Sequence, residues 1–316
     1  MPLPIAGGIP NTSFDGGGAA QLIPLLFASD AQKVFNASTS MSAITNTDFT
    51  GSLMNSGDTV SIPTQGHATI RDGVPGQKIS YEMVSAPSVK FTIGREKTWA
   101  ISIPDEYQKQ NLIKDWLERN GKQTGIDMHI KIEQEFYGTI FTGAAATNKG
   151  SAAGKKSANI DLGTVAAPVA LVPTNVERRT VLNVVDVLAE ANRAPSDYPG
   201  ECYLVIPSRV ATLFAESPIV GRADASGMNQ APIFGNGYIK TLHGVNIYVS
   251  QNLFREQNGA YHCLFGHRSG ITSVGQFTKT KVVDPSEYFI KGMAGLYVYD
   301  YKVMMADSVG ELVVTV

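Results

Sequence analysis

Cysteine is nearly missing. Only Cys202 and Cys263 occur in 316 residues, which excludes a disulfide-stapled scaffold and any cluster of four thiolates. Charge is scarce too, at 17% against about 25% in an average soluble domain. The 26 Lys and Arg nearly cancel the 28 Asp and Glu, leaving a formal net charge of −2. That balance excludes a strongly basic nucleic-acid binder and an acidic disordered tail. No run approaches the roughly 18 apolar residues of a membrane span; the best, residues 166–172, is short and contains Pro168. The first cation is Lys33, so the basic region of a secretory signal is lacking and cytoplasmic folding is expected. Asn11-Thr12-Ser13 and Asn36-Ala37-Ser38 match the glycosylation pattern, which has no meaning without secretion.

Catalytic and ligand motifs are equally sparse. Gly150 to Ser157 (GSAAGKKS) has three residues between its glycines, where a phosphate loop has four, and it follows a helix rather than a strand. It reads as a solvated loop. Gly235-Asn236-Gly237 lacks the third glycine of a dinucleotide fingerprint and reads as a turn. His262 and Cys263 would point to opposite faces of a strand, and with His267 they find no second cluster to complete a metal site. Gly266-His267-Arg268-Ser269-Gly270 has the wrong order for a nucleophile elbow, and no His-Glu-x-x-His occurs. Glu133 and Glu135 sit two apart on a helix and share no face; a solvated helix surface is the expected use. No catalytic, cofactor-binding or metal-ligating residue is assigned, and no enzyme activity is expected.

What is present is a 43% hydrophobic chain with 31 glycines and 16 prolines, long enough for about two domains. Residues 1–54 hold only Asp15, Asp30, Lys33 and Asp48 as charges, with a helix expected over Pro24 to Phe35 because Pro suits a first helical turn. Too polar to form a core and too uncharged to stay solvated, this stretch reads as an arm lying on something else. Over 58–103 the period becomes two: Val60 and Ile62, then Ile79, Tyr81 and Met83, then Val89, Phe91 and Ile93, then Trp99, Ile101 and Ile103. That spacing predicts strands. Asp72-Gly73 and Pro75-Gly76 carry turn chemistry, Pro then Gly being what a type II turn demands, so a long hairpin has its tip there.

Pro104, followed by Asp105 and Glu106, reads as a helix start. Leu112, Trp116, Met128, Ile132, Phe136 and Ile140 recur at helical spacing toward Thr142, with Gly121 and Gly125 marking a place where the helix could divide. Residues 143–175 read as a mobile loop passing into short strands. Asn175 is expected to cap a helix running to about Asn192, followed by a strand (CYLVIP), a helix (SRVATLFAES), a glycine-rich stretch over 217–237, and strands in GVNIYVS, HCLFG, FTKTKVV, GLYVYDYKVMMA and ELVVTV. The order is α+β.

The hairpin from Asp58 to its tip would reach roughly 50 Å at strand rise, against a radius of gyration near 20 Å for a compact chain of this length. Two extended appendages, a long helix and no catalytic constellation imply burial completed between subunits.

In this order the elements resemble the major capsid proteins of tailed double-stranded DNA phages, with the Hong Kong 97-like fold. GDTVSIPTQGHATIRDGVPGQKISYEMV (57–84) is similar to that family's extended loop, FTIGREKTWAISIPDEYQKQ leads into its spine helix through IEQEFYGTI, and NVVDVLAEANRAPSDYPGECYLVIPSRVATLFAES resembles the core of its axial domain. GVNIYVSQNLF and GLYVYDYKVMMADSVGELVV resemble its later strands. The resemblance implies an N-terminal arm over 1–54, an extended loop over 55–100, a peripheral domain with the spine helix over 101–175, an axial domain over 176–276, and C-terminal strands over 277–316. It implies hexamers and pentamers closing into an icosahedral virion shell, assembled in a bacterial cytoplasm with scaffolding and portal proteins, around double-stranded DNA held without sequence specificity. No cofactor and no membrane are implied. At the loop tip Arg71, Asp72, Gly73, Pro75 and Gly76 are expected to touch a neighbouring subunit. Lys78, Lys90 and Lys97 lie in or beside the loop, where some members crosslink, but no pair is identified. The chain begins without a long charged helical prefix, so a fused scaffolding segment is not expected. Three other readings stay open: an encapsulin-type shell, separated by nucleic-acid content; a β-rich tail or adhesin protein, separated by particle shape; and a soluble enzyme, separated by a stable monomer with a ligand-filled cleft.

Overall fold

The computed structural model of the chain describes residues 40–48, 59–63, 68–73, 76, 78, 81–84, 88–104, 116–217, 234–235, 238–239, 241–283 and 290–316. The helix expected over Pro24 to Phe35 lies outside them. The chain divides into two compact units.

The larger unit contains Ser40–Arg95, Ile132–Gly275 and Tyr299–Val316. In chain order it begins with a short helix α1 (Met41–Ile44) and a two-stranded ladder of β1 (Thr59–Pro63) and β2 (Ser88–Thr92). The next elements are β3 (Arg95–Pro104) and helix α2 (Trp116–Thr139), of which this unit holds the first residue and the last turns respectively. Its centre is a six-stranded sheet in the order β4-β13-β10-β5-β9-β8. The strands are β4 (Val169–Ala170), β5 (Cys202–Ile206), β8 (Thr241–Leu242), β9 (Val245–Val249), β10 (Tyr261–His267) and β13 (Val309–Thr315). All five residues of β5 are buried, as are six of seven in β10 and in β13. That burial explains why CYLVI reads as a continuous apolar run rather than an alternation: both faces of the strand are covered. The two outermost strands of the sheet have only two residues each, so little edge is left open to foreign pairing.

Helix α3 (Asn183–Glu190) is preceded by a π-helical turn over Arg178–Leu182. Asn175 does not cap it. The Asn175 side chain turns back, accepting from Val172 N–H at 3.0 Å and donating to the Ala170 carbonyl at 3.3 Å. The helix stops where expected because Asn192 takes φ 58°. There Arg193 N–H reaches the Leu188 carbonyl and Asn192 N–H the Ala189 carbonyl, a left-handed helix end that Asn tolerates. Helix α4 (Ser208–Glu216) buries Val210, Ala211 and Phe214. Most of the glycine-rich 217–237 stretch lies outside the described residues; β6 (Phe234–Gly235) pairs there with β7 (Tyr238–Ile239). Residues 143–175 are tied down rather than loose: Ala153 and Ile160 exchange backbone bonds, and Leu162 N–H bonds Gly150.

The smaller unit contains Glu96–Lys131 and Gln276–Val298. It holds most of a three-stranded sheet in the order β11-β12-β3, with β11 (Ile271–Val283) and β12 (Ile290–Val303). Trp99 of β3 covers Gly295 of β12 so closely that a Cβ there would lie 2.3 Å from the indole. Pro104 is the last residue of β3, not a helix start. A proline at the end of an outer strand gives up no ladder bond, so the same residue satisfies either grammar. The described helix begins at Trp116 and runs 24 residues to Thr139, unbroken across Gly121 and Gly125.

Candidate assembly surface

The pairing of β1 with β2 fixes the arm. Thr59 faces Thr92 and Pro63 faces Ser88, a register symmetric about residues 75 and 76, where turn chemistry places the tip. Gly76 has φ 87°, the left-handed backbone a type II turn needs at its third position. Pro75 lies outside the described residues. The same register persists far from the ladder. Thr69 and Glu82 fall opposite each other in it, and Thr69 N–H and hydroxyl both donate to the Glu82 carboxylate at 3.2 Å. Of the strand expected over Ile79 to Met83, Tyr81 to Met83 are described and are not in a regular strand, while Ile79 and Ser80 lie outside the described residues. Beyond the ladder, the Thr69–Glu82 pair keeps the facing that the register sets.

Alternation then sorts the arm into two faces. Thr59, Thr69, Arg71, Glu82 and Thr92 share one, where the Thr59 and Thr92 hydroxyls bond each other at 2.8 Å. Ile62, Val89 and Phe91 share the other, which Ile70, Tyr81 and Met83 follow when the same register is carried outward past the ladder. At the root Phe91 is 1% exposed, whereas further out Ile70 is 97%, Tyr81 94% and Met83 99% exposed. The most exposed large apolar side chain described elsewhere, Val172, reaches only 47%. Arg71, Asp72, Gly73 and Gly76 are all exposed, as is Lys78, and among the described residues none of these tip residues is joined to a site within the chain.

The root is held by a polar node. Arg95 pairs with the Glu135 carboxylate, contacts Asp300 at 3.3 Å and stacks over the Tyr301 ring at 4.4 Å. Burial disfavours the guanidinium charge, but Tyr301, Glu135 and Asp300 outweigh it and raise its pKa. Asp300 also accepts Gly94 N–H at 3.0 Å, and Tyr299 donates to Glu135 at 2.8 Å. Lys302 Nζ reaches the Lys90 carbonyl at 3.0 Å. The two residues where the arm joins the body are thus bonded to α2 and β12.

Glu133 forms a second node and corrects the sequence reading. It is 1% exposed, not on a solvated surface. One carboxylate oxygen accepts Ser40 N–H and hydroxyl, both at 2.6 Å, and Met41 N–H at 3.3 Å; the other accepts Ser250 at 3.2 Å and Asn252 at 3.0 Å. This clasp fastens a strap over 40–48, in which Met41, Ile44 and Thr45 are buried. Asn46 bridges Thr272, and Arg268 donates to the Thr45 carbonyl at 3.2 Å. For these residues the uncharged N-terminal stretch lies on the chain's own body.

The other singled-out residues are internal. His262 is buried between Glu311, which it hydrogen-bonds, and Glu256 at 3.3 Å, and stacks on Phe141 at 4.8 Å. Cys202 and Cys263 are free and buried, and burial raises both thiol pKa values, that of Cys202 to about 11. In the loop tested as a phosphate cradle, Lys156 and Ser157 N–H groups bind the chain's own Glu190 carboxylate at 2.7 and 2.9 Å, with Ser157 the larger cause of its lowered pKa. A cleft of about 530 Å³ is lined by Lys155, Arg193, Tyr198 and Asp307; its Lys155 is paired with Asp307 at 2.8 Å and Arg193 lies over Tyr198. Among the described residues no group of three or more His, Cys, Asp or Glu could hold a metal, and no helix is long and apolar enough to cross a membrane.

No protein-family description and no curated protein matches this chain. Among solved structures it is similar to a chain of Mycobacterium phage Che8, with a TM-score of 0.60 and 18% identity over 87% of this chain and 90% of that one. The capsid of Ralstonia phage GP4 gives a TM-score of 0.56 and 12% identity, covering 86% of this chain and 87% of that one. The mature capsid of bacteriophage PhiM1 gives 0.53 and 15%, covering 83% and 82%. Identities this low speak to architecture, and the coverage shows it is shared along nearly the whole length: the chain has the fold of phage capsid proteins.

Proposed function

We propose that this chain is the major capsid protein of a tailed double-stranded DNA phage, a Hong Kong 97-like shell subunit with a structural rather than catalytic role. The observation that carries the reading is the arm: a ribbon rooted in a polar node whose outer part leaves Ile70, Tyr81 and Met83 more than nine-tenths exposed. Exposed apolar area of this kind marks an interaction surface. In the proposed assignment, residues 1–54 are the N-terminal arm, 55–100 the extended loop, 101–175 the peripheral domain with α2 as spine helix, 176–276 the axial domain, and 277–316 the returning strands. The tip, Arg71 to Gly76, reaches a neighbouring subunit. Hexamers and pentamers close into an icosahedral head around DNA in the host cytoplasm, with scaffolding and portal proteins as assembly partners. A net charge of −2 suits a wall that encloses DNA without pinning it through many phosphate contacts.

The test is assembly of the purified chain, followed by negative-stain imaging and analytical ultracentrifugation. Capsomers or closed shells with interfaces above about 2,000 Å² per contact pair are expected. Well-folded monomers persisting at high concentration overturn the reading.

A further inference from the structure

We infer that the arm is held on a second copy of this chain by one face only, the face of Ile70, Tyr81 and Met83, and that the charged tip does not hold it. This rests on the capsid reading, in which the surface beside each arm belongs to an identical subunit. The register makes the face. Carried outward from the ladder, the register of Thr59 with Thr92 puts Ile70 opposite Tyr81, with Met83 two residues further along on the same side.

On the opposite face Thr69 and Glu82 bond each other, as do Thr59 and Thr92, so these four residues already have partners. At the root of the arm the chain's own body buries Phe91. Ile70 lies eight residues beyond Ile62, up to about 26 Å further out at strand rise. There Ile70, Tyr81 and Met83 are uncovered. Asp72 is the only described charge on this face, so the matching surface is apolar. At the tip, Arg71 and Asp72 are exposed with no partner among the described residues, and such hydrated rim charges gain little on contact. Docking through apolar area depends little on ionic strength, unlike docking through exposed ion pairs.

Two full-length double variants separate the faces: Tyr81→Ser with Met83→Ser, and Arg71→Ala with Asp72→Ala. Each is compared with wild type for circular dichroism and for particle yield by sedimentation at low and high sodium chloride. The first variant should keep native dichroism and lose particle yield roughly tenfold or more, while the second and the wild type assemble alike at both salt concentrations. A photo-crosslinking amino acid at position 81 of otherwise wild-type particles should join to a peptide of another copy of this chain, identified by mass spectrometry of mixed light- and heavy-labelled subunits. Normal assembly of the Tyr81/Met83 variant overturns the inference and leaves the capsid reading intact, as do loss of assembly in the tip variant alone or crosslinks confined to one subunit. A wild-type chain that never assembles overturns both.

Discussion

Replacing Glu133 with Gln keeps the shape of the side chain and removes its charge and one acceptor oxygen. Five donors converge on this carboxylate: Ser40 N–H, Ser40 hydroxyl and Met41 N–H on one oxygen, Ser250 hydroxyl and Asn252 amide on the other. A glutamine must turn its own NH₂ toward one of these groups. Facing Ser40 and Met41 it opposes two backbone donors, so the better choice faces Ser250 and Asn252. There the Ser250 hydroxyl can rotate to accept, but the Asn252 amide is left against a donor. One buried donor without an acceptor costs about 1–3 kcal/mol, and the remaining bonds fall from charge-assisted to neutral strength. The sum is roughly 2–4 kcal/mol. For a unit of this size each kcal/mol moves the melting temperature by about 2–4 °C, so calorimetry of Glu133→Gln should show a midpoint lower by roughly 5–15 °C. Because three of the donors belong to Ser40 and Met41, limited proteolysis should cut within 40–48 before the body unfolds. A midpoint within about 1 °C of wild type, with the strap still protected, would refute the clasp.

Three further outcomes are expected. Burial opposes the charge on His262, but Glu311 and Glu256 outweigh it and raise the imidazole pKa, so its stabilisation is complete below the unfolded value of about 6.5 and lost as pH rises through the raised folded value; the stability difference between wild type and His262→Gln should shrink between neutral and alkaline pH, and a constant difference contradicts this. At Gly266 a Cβ would sit 2.4 Å from the Ser308 carbonyl oxygen, while at Gly73 nothing lies within 4 Å; denaturant melts should show Gly266→Ala destabilised by about 1–3 kcal/mol or more and Gly73→Ala unchanged, and equal effects would contradict the packing. Both cysteines are buried and free, so reductant should leave stability unaltered, and a disulfide ladder on a non-reducing gel would show otherwise.

The hairpin was legible in sequence because its signals are local. Turn chemistry at 72–76 and alternation on either side put the tip where the register puts it, and CYLVI read as a buried strand from its unbroken apolar run. Pro104 misled because its missing N–H is as harmless at the end of β3 as in a first helical turn. Glu133 was hidden for a different reason. Its partners are 92 to 119 residues away along the chain, and no local rule reaches that far. One signal was present: Met128, Ile132 and Phe136 mark the buried face of α2, and Tyr137 widens it by one residue. Glu133 stands one turn before Tyr137, on the widened face. A charge on a buried stripe needs donors, and Ser40, Ser250 and Asn252 supply them.

The two kinds of contact found here fit different requirements. Hydrogen bonds to a buried carboxylate are directional, and removing one partner leaves the others unsatisfied, so Glu133 and the Arg95–Glu135–Asp300 node hold the strap and the root of the arm in defined positions within the larger unit. Apolar contact is non-directional and scales with area removed from water. Burying Ile70, Tyr81 and Met83 would contribute about 1.5–3 kcal/mol for each side chain, before the cost of ordering the arm, and would tolerate small changes in the angle between partners. A shell built of hexamers and pentamers presents such changes, because the same chain must meet its neighbours at more than one inclination. In the proposed assembly a directional contact at the outer arm would be satisfied in one setting and broken in the other. An apolar outer arm on a polar, fixed root avoids that conflict: the root sets where the arm points, and the contact it reaches can be made in either setting.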